Sequence, residues 1–158
     1  NAEHMMLVDL ARNDLSRHGY HVTVEKDREV QFYSHVIHLV SKVTGKKKRD
    51  TSTMQVVADT FPAGTLSGAP KHRAMQLIDA YENNDRAFYG GAIGFIDFKR
   101  NYNHAIIIRS FLSKENMLHY HAGAGVVSKS NPESELQEVY NKLRALNTAM
   151  DKAEKQFS

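Results

Sequence analysis

Cysteine is absent from the 158 residues. That excludes a disulfide framework, thiolate zinc sites, iron–sulfur clusters and a cysteine nucleophile, and it fits a reducing compartment. No apolar run reaches the roughly 20 residues that span a bilayer. Asn1-Ala2-Glu3-His4 lacks a basic segment followed by an apolar one, so the expectation is a cytoplasmic protein without a membrane partner. Repeats, low-complexity tracts and Gly/Ser/Pro linkers are missing too, and residues 1–158 read as one piece. Excess charge is small: +3 at pH 7 with pI ≈ 9.1 permits a polyanionic partner without requiring one. The basic run Lys46-Lys47-Lys48-Arg49 has no interleaved aromatics, so it reads as a solvated loop and no nucleic-acid partner is expected.

What is present is ordinary globular composition, 41% hydrophobic and 25% charged, enough for a core in a chain of this length. Met5 to Leu15 has a helical pattern. Tyr20 to Glu25 and Val30 to Val43 are β-branched and aromatic, and are expected to pair as strands around Asp27-Arg28. Thr53 to Thr60 reads as a short helix, Phe61 to Pro70 as a loop, and Pro70 as the first residue of a helix reaching about Glu82. Phe88 to Phe98, His104 to Leu112 and Met117 to Val127 read as strands joined by polar turns at Lys99-Arg100-Asn101 and Lys114-Glu115-Asn116. A last helix opens at Asn131-Pro132, with Asn131 as cap and an apolar stripe of Leu136, Val139, Tyr140, Leu143, Leu146 and Met150. The class is α+β, dominated by antiparallel sheet.

Several residues are of types that carry chemistry. Glu135, Glu138 and Lys142 lie at i, i+3 and i+7, in one arc beside the apolar stripe. Glu138 and Lys142 fit a surface ion pair; the same geometry fits an oxygen ligand for a hard cation, completed by a carboxylate from elsewhere such as Glu3. Arg109 follows Ala105-Ile106-Ile107-Ile108, which reads as a central strand, where a guanidinium requires an anion. That anion is either an internal carboxylate or a substrate carboxylate held in bidentate fashion. Tyr89, before Gly90-Gly91, offers a hydroxyl to the same anion or packs.

His38 interrupts Val36-Ile37-His38-Leu39-Val40 and reads first as a satisfied core histidine. His35 and His38 point to opposite faces of a strand, and His119 with His121 share a face but lack a third ligand, so neither pair makes a zinc site. Gly64 to Gly68 followed by Lys71 is not a Walker motif, and Ala122-Gly123-Ala124-Gly125 lacks the third glycine of a dinucleotide fingerprint. Both loops permit close approach, with the amides of Gly123 and Gly125 and the hydroxyls of Thr65 and Ser67 available to a small anion.

Taken together, Glu3 to Asp14, Tyr33 to Ser41, Phe61 to Lys71, Tyr89-Gly90-Gly91-Ala92-Ile93-Gly94, Ile108-Arg109-Ser110, Ala122 to Gly125 and Glu135 to Lys142 resemble the chorismate-utilising enzymes. Within that family they are most similar to the large subunits (component I) of anthranilate synthase. The likeness runs the length of the chain in order.

The resemblance implies an α+β sandwich of antiparallel sheets flanked by helices. Residues 1–158 would be the C-terminal portion of a single chorismate-binding catalytic domain. It further implies that Glu3 and Glu138 hold Mg²⁺ on the ring carboxylate of chorismate, with Glu135 acting through water. Tyr89 and Arg109 would bind the enolpyruvyl carboxylate. Thr65, the Gly123 and Gly125 backbone and Lys142 would position the ring carboxylate, and His38 would assist loss of the C4 hydroxyl or the later elimination.

The implied activity is an Mg²⁺-dependent lyase of tryptophan biosynthesis that forms anthranilate and pyruvate from chorismate and ammonia. A glutamine amidotransferase subunit, component II, would supply the ammonia. Thr65 and the Ala-Gly-Ala-Gly form resemble anthranilate synthase more than the alternative, aminodeoxychorismate synthase of folate biosynthesis. The family's full domain is longer than this chain, so the resemblance also implies an isolated piece that is inactive or works only within a larger fold, with sheet edges open to self-association.

Overall fold

The computed structural model describes residues 2–33 and 37–157. They fall into two compact units where the sequence shows no internal boundary: Asn1–Tyr81 with Asp97–Asn101, and Glu82–Ile96 with Tyr102–Ser158. Helices are mixed with antiparallel strand pairs, in agreement with the α+β class.

The first unit is organised by α1 (Ala2–His18). His4, Leu7, Val8, Leu10, Ala11, Asp14, Leu15 and His18 are its buried or half-buried positions, an i, i+3/i+4 pattern that gives one inward face. That face packs against β1 (Gly19–Phe32), β2 (Ile37–Lys47), α2 (Thr53–Thr60) and α3 (Gly64–Ser67). α2 is capped by Ser52, whose side chain accepts from the Gln55 amide at 3.0 Å. α3 lies inside the segment expected to be irregular. Its Gly64 sits so close to α1 that a Cβ there would fall 2.5 Å from Leu10 Cδ2. Gly68, at φ +114°, ends the turn in a conformation that favours glycine. α4 (Lys71–Tyr81) follows, with the Pro70 carbonyl accepting from Ala74 N, so the proline sits one place before the helix.

The β1–β2 hairpin corrects one expectation. Asp27-Arg28 is not the turn: β1 runs on to Phe32, which pairs with Ile37 at the start of β2. Three one-residue register shifts each place an extra residue on β1, and Arg28 adopts φ +51° at one of them. This is a bulge, stabilised where the Arg28 amide donates to Ser41 Oγ at 2.9 Å. The turn-like composition marked the bulge. In the basic run, Lys46 and Lys47 end β2, and Lys48 caps α1, its amide donating to His18 O at 3.0 Å and its Nζ to Arg17 O at 3.1 Å.

The second unit contains β3 (Ala92–Ile96) paired with β4 (Tyr102–Ile106), β5 (Leu112–Lys114) paired with β6 (Met117–His119), and α5 (Pro132–Phe157). The strands are shorter than the apolar runs suggest. Before β3, Ile107 bonds to both Gly90 N and Gly91 O at 2.9 Å, and Gly90 has φ +76°, a glycine bulge that interrupts the ladder. After β4, Arg109 bends the chain at φ +52°. The β5–β6 turn is made by Glu115 and Asn116, both at positive φ, as a two-residue hairpin requires.

α5 starts as expected, with Asn131 Oδ1 accepting from Ser134 N at 3.0 Å. Its inner face is rotated from the expected stripe. Leu146 is buried and Val139, Leu143 and Met150 are half-buried, but Leu136 and Tyr140 are more than half exposed while Glu135 and Lys142 turn inward.

Candidate functional site

In the second unit the residues around Tyr89 form one connected group. The bulge at Gly90-Gly91 closes a turn in which Gly91 N donates to Phe88 O at 3.1 Å, and this fixes the Tyr89 backbone. Its side chain is 8% exposed. The ring stacks on His121, with centroids 4.6 Å apart and planes 8° from parallel. The Arg86 guanidinium lies 5.8 Å from the same ring centroid. Arg86 is held by Glu82 through Nε to Oε2 at 2.8 Å and Nη2 to Oε1 at 2.5 Å. That fork holds the Glu82 carboxyl below its ordinary range, chiefly through the hydrogen bonds from Arg86, with the charges of Arg86 and His121 adding to it. It raises the Arg86 guanidinium by the same hydrogen bonds.

The Tyr89 hydroxyl reaches the glycine loop: a Cβ on Gly123 would stand 3.6 Å from it. On the same loop, Gly123 O accepts from Lys142 Nζ at 2.9 Å, and Lys142 is also paired with Glu138 one turn back. The surface ion pair read from the spacing is therefore present, and it is tied to the glycine loop. Tyr89, Gly123, Lys142 and Glu138 are brought together; Glu135 lies half-buried on the same helix face. Gly125 is exposed in the irregular segment 121–127.

Arg109 requires a correction. It lies in no central strand and is exposed, because among the described residues each sheet has two strands and the ladder ends before the bend. Its guanidinium is thus not forced to take an internal carboxylate. Beside the Tyr89 group, a cavity of about 520 Å³ opens between the 84–88 segment and the β5–β6 hairpin, with Arg86, Phe88, Lys114, Leu118, His119 and His121 among its lining residues.

In the first unit, Glu3 is exposed in the opening turn of α1. His38 is not a core histidine: it is exposed at the start of β2, opposite Gln31 in register, with Tyr33 edge-on at 5.7 Å. His35 lies outside the described residues. Thr65 is exposed on α3, whereas Ser67 Oγ is turned back to Ala63 O at 3.2 Å. Lys71, which follows the glycine loop, is directed into the unit and paired with Asp14 at 2.6 Å.

Among the described residues no group of three or more His, Asp or Glu side chains is arranged around a metal position. The donor chemistry of α5 nonetheless suits Mg²⁺: Glu135 and Glu138 present hard oxygens at i, i+3, and the Glu138 side chain is half exposed, as a cation held by one or two carboxylates and substrate oxygen needs. Sequence reasoning missed Glu82 and Arg86. Their i, i+4 spacing of opposite charge just before Tyr89 was the available cue. His121 was weighed only as a metal ligand.

Residues 1–148 match the family described as chorismate binding enzyme. Anthranilate synthase component 1 of Aquifex aeolicus is 46% identical over 155 residues, covering 97% of this chain and 31% of that protein. The Saccharolobus solfataricus protein of the same name is 52% identical over 152 residues, covering 94% and 36%. Among solved structures, anthranilate synthase component I from Streptococcus pneumoniae TIGR4 aligns with a TM-score of 0.84 at 43% identity, covering 89% of this chain and 33% of that one. A putative 2,3-dihydroxybenzoate-specific isochorismate synthase from Bacillus anthracis aligns at 0.81 and 30%, covering 92% and 40%. The chain therefore spans about a third of the length of the relatives it matches. With the family match covering nearly all of it and the Tyr89, Gly123 and Glu138–Lys142 motifs gathered in one unit, the chain belongs to the chorismate binding enzymes.

Proposed function

We propose that the complete protein carrying this chain is the aminating subunit of anthranilate synthase. Ammonia adds at C2 of chorismate and the C4 hydroxyl leaves as water. Pyruvate is then eliminated from the ring, so that chorismate and ammonia give anthranilate, pyruvate and water. The observation that carries the reading is the joining of Tyr89, Gly123 and Lys142, from three separated motifs, into one group. The 46% and 52% identity to proteins named anthranilate synthase component 1 favours this product.

In this reading Arg109, exposed and unobstructed by a sheet, takes the enolpyruvyl carboxylate with its planar fork, and the Tyr89 hydroxyl donates to the same group. Lys142 holds the Gly123 loop by its carbonyl, leaving the amides of Gly123 and Gly125 for the ring carboxylate; Thr65 adds a hydroxyl. Glu138 and Glu3 are the ligands for Mg²⁺, with Glu135 acting through water. When bound, the ion supplies Lewis-acid polarisation and a template for the carboxylate. His38 moves a proton at the departing C4 hydroxyl or in the elimination. Component II, a glutamine amidotransferase, supplies ammonia in a cytoplasmic tryptophan pathway, and this chain alone does not turn over. Incubating the complete protein with chorismate, Mg²⁺ and an ammonium salt should yield anthranilate and pyruvate in equal amounts. Any other aromatic or cyclohexadiene product in place of anthranilate overturns the assignment.

A further inference from the structure

We infer that His121 is a positioning residue for Tyr89, holding the phenol so that its hydroxyl meets the substrate carboxylate; the inference rests on the reading of Tyr89 as a carboxylate ligand. Three restraints meet on this tyrosine. The bulge at Gly90-Gly91 fixes its backbone, His121 lies flat against its ring at 4.6 Å and 8°, and Arg86, forked by Glu82, stands 5.8 Å from the ring centroid. A phenol with a free χ2 rotor would sweep its hydroxyl only slightly, but a change of χ1 would remove it from the site. A parallel ring at van der Waals distance opposes that change.

The sequence spacing explains why one segment serves both purposes. His121 lays its ring against Tyr89, and two residues further on Gly123 stands beside the Tyr89 hydroxyl. The residues after it, Ala122, Gly123, Ala124 and Gly125, are small, and the Tyr120 ring before it packs edge-on against Phe111 instead. A stack of this kind does not require a charge on the imidazole, so a phenyl ring at 121 should serve as well.

The test is a cycle in the complete protein, reading chorismate KM and kcat for His121→Ala, His121→Gln, His121→Phe, Tyr89→Phe and the double variant Tyr89→Phe with His121→Ala. Expected is a KM raised about two- to tenfold in His121→Ala and in His121→Gln, the range in which an aromatic pair counts, with kcat held within about twofold. His121→Phe should restore the wild-type KM, and His121→Ala should add nothing once the Tyr89 hydroxyl is gone. His121→Gln keeps a polar side chain without a ring, so it carries the comparison if the alanine variant does not fold. Unchanged KM in His121→Ala or His121→Gln while Tyr89→Phe raises it overturns the positioning role and leaves the reading of Tyr89 intact. Unchanged KM in Tyr89→Phe overturns that reading itself, and the inference with it. Failure of His121→Phe to rescue also overturns the inference.

Discussion

Lys71 Nζ lies 2.6 Å from Asp14 Oδ2, and the two side chains are only 14% and 5% exposed. The pair joins the residue after the Thr65 loop to the inner face of α1, and Lys71 also donates to Thr60 O at 3.1 Å. Among the described residues Asp14 Oδ1 has no hydrogen-bond partner, so Lys71 is the contact that offsets the burial of this carboxylate. Removing the ammonium should strand a buried carboxylate. We expect Lys71→Met to destabilise the protein by about 3–5 kcal/mol, and Lys71→Met combined with Asp14→Leu to recover most of the loss. Urea unfolding of the single and double variants checks this; a single variant as stable as wild type contradicts it.

This pair also shows where sequence reading stops. α1, α2 and α5 were legible because periodic apolar residues and capping side chains are local features: Asn131 caps as its position suggests. The inward turn of Lys71 was not legible, since its partner lies 57 residues away. Nor was the burial of Arg109 correctly inferred: four apolar neighbours suggest a central strand only if strands flank it on both sides, and among the described residues β4 is paired with β3 alone. On α5 the inner face takes in Lys142, which reaches the Gly123 carbonyl, while Leu136 and Tyr140 lie outside it.

Gly90 should tolerate no side chain. At φ +76° an alanine costs about 1–2 kcal/mol, and the bulge that fixes Tyr89 would be displaced. Gly90→Ala should lower the urea midpoint and raise chorismate KM together. Stability alone changing would indicate that the bulge does not orient Tyr89.

The Glu82–Arg86 fork makes a pH-dependent contribution. The folded carboxyl lies below the ordinary value of 4.5, so the unfolded chain binds the proton more readily as pH falls. The stabilisation is complete above the ordinary value and is lost as pH drops through the lowered one. Glu82→Gln should therefore be less stable than wild type near neutrality, and the gap should close in acid. A gap that stays constant with pH contradicts this.

Asn131 supplies the first-turn acceptor of α5. Asn131→Ala should cost about 1 kcal/mol, and Asn131→Asp should restore it. Thermal unfolding followed by circular dichroism measures both; equal midpoints for alanine and asparagine would show that the cap contributes nothing.

The central claim is that Glu138 and Glu3 serve a divalent cation in the conversion of chorismate to anthranilate. The direct measurement is anthranilate fluorescence from chorismate and ammonium by the complete protein across an Mg²⁺ titration, for wild type and Glu138→Ala. Formation should require the cation, stop with chelator, and fall at least about a hundredfold in the variant, beyond the loss typical of outer-shell changes. Anthranilate formed equally well without divalent cation, or at the wild-type rate by Glu138→Ala, would contradict the account.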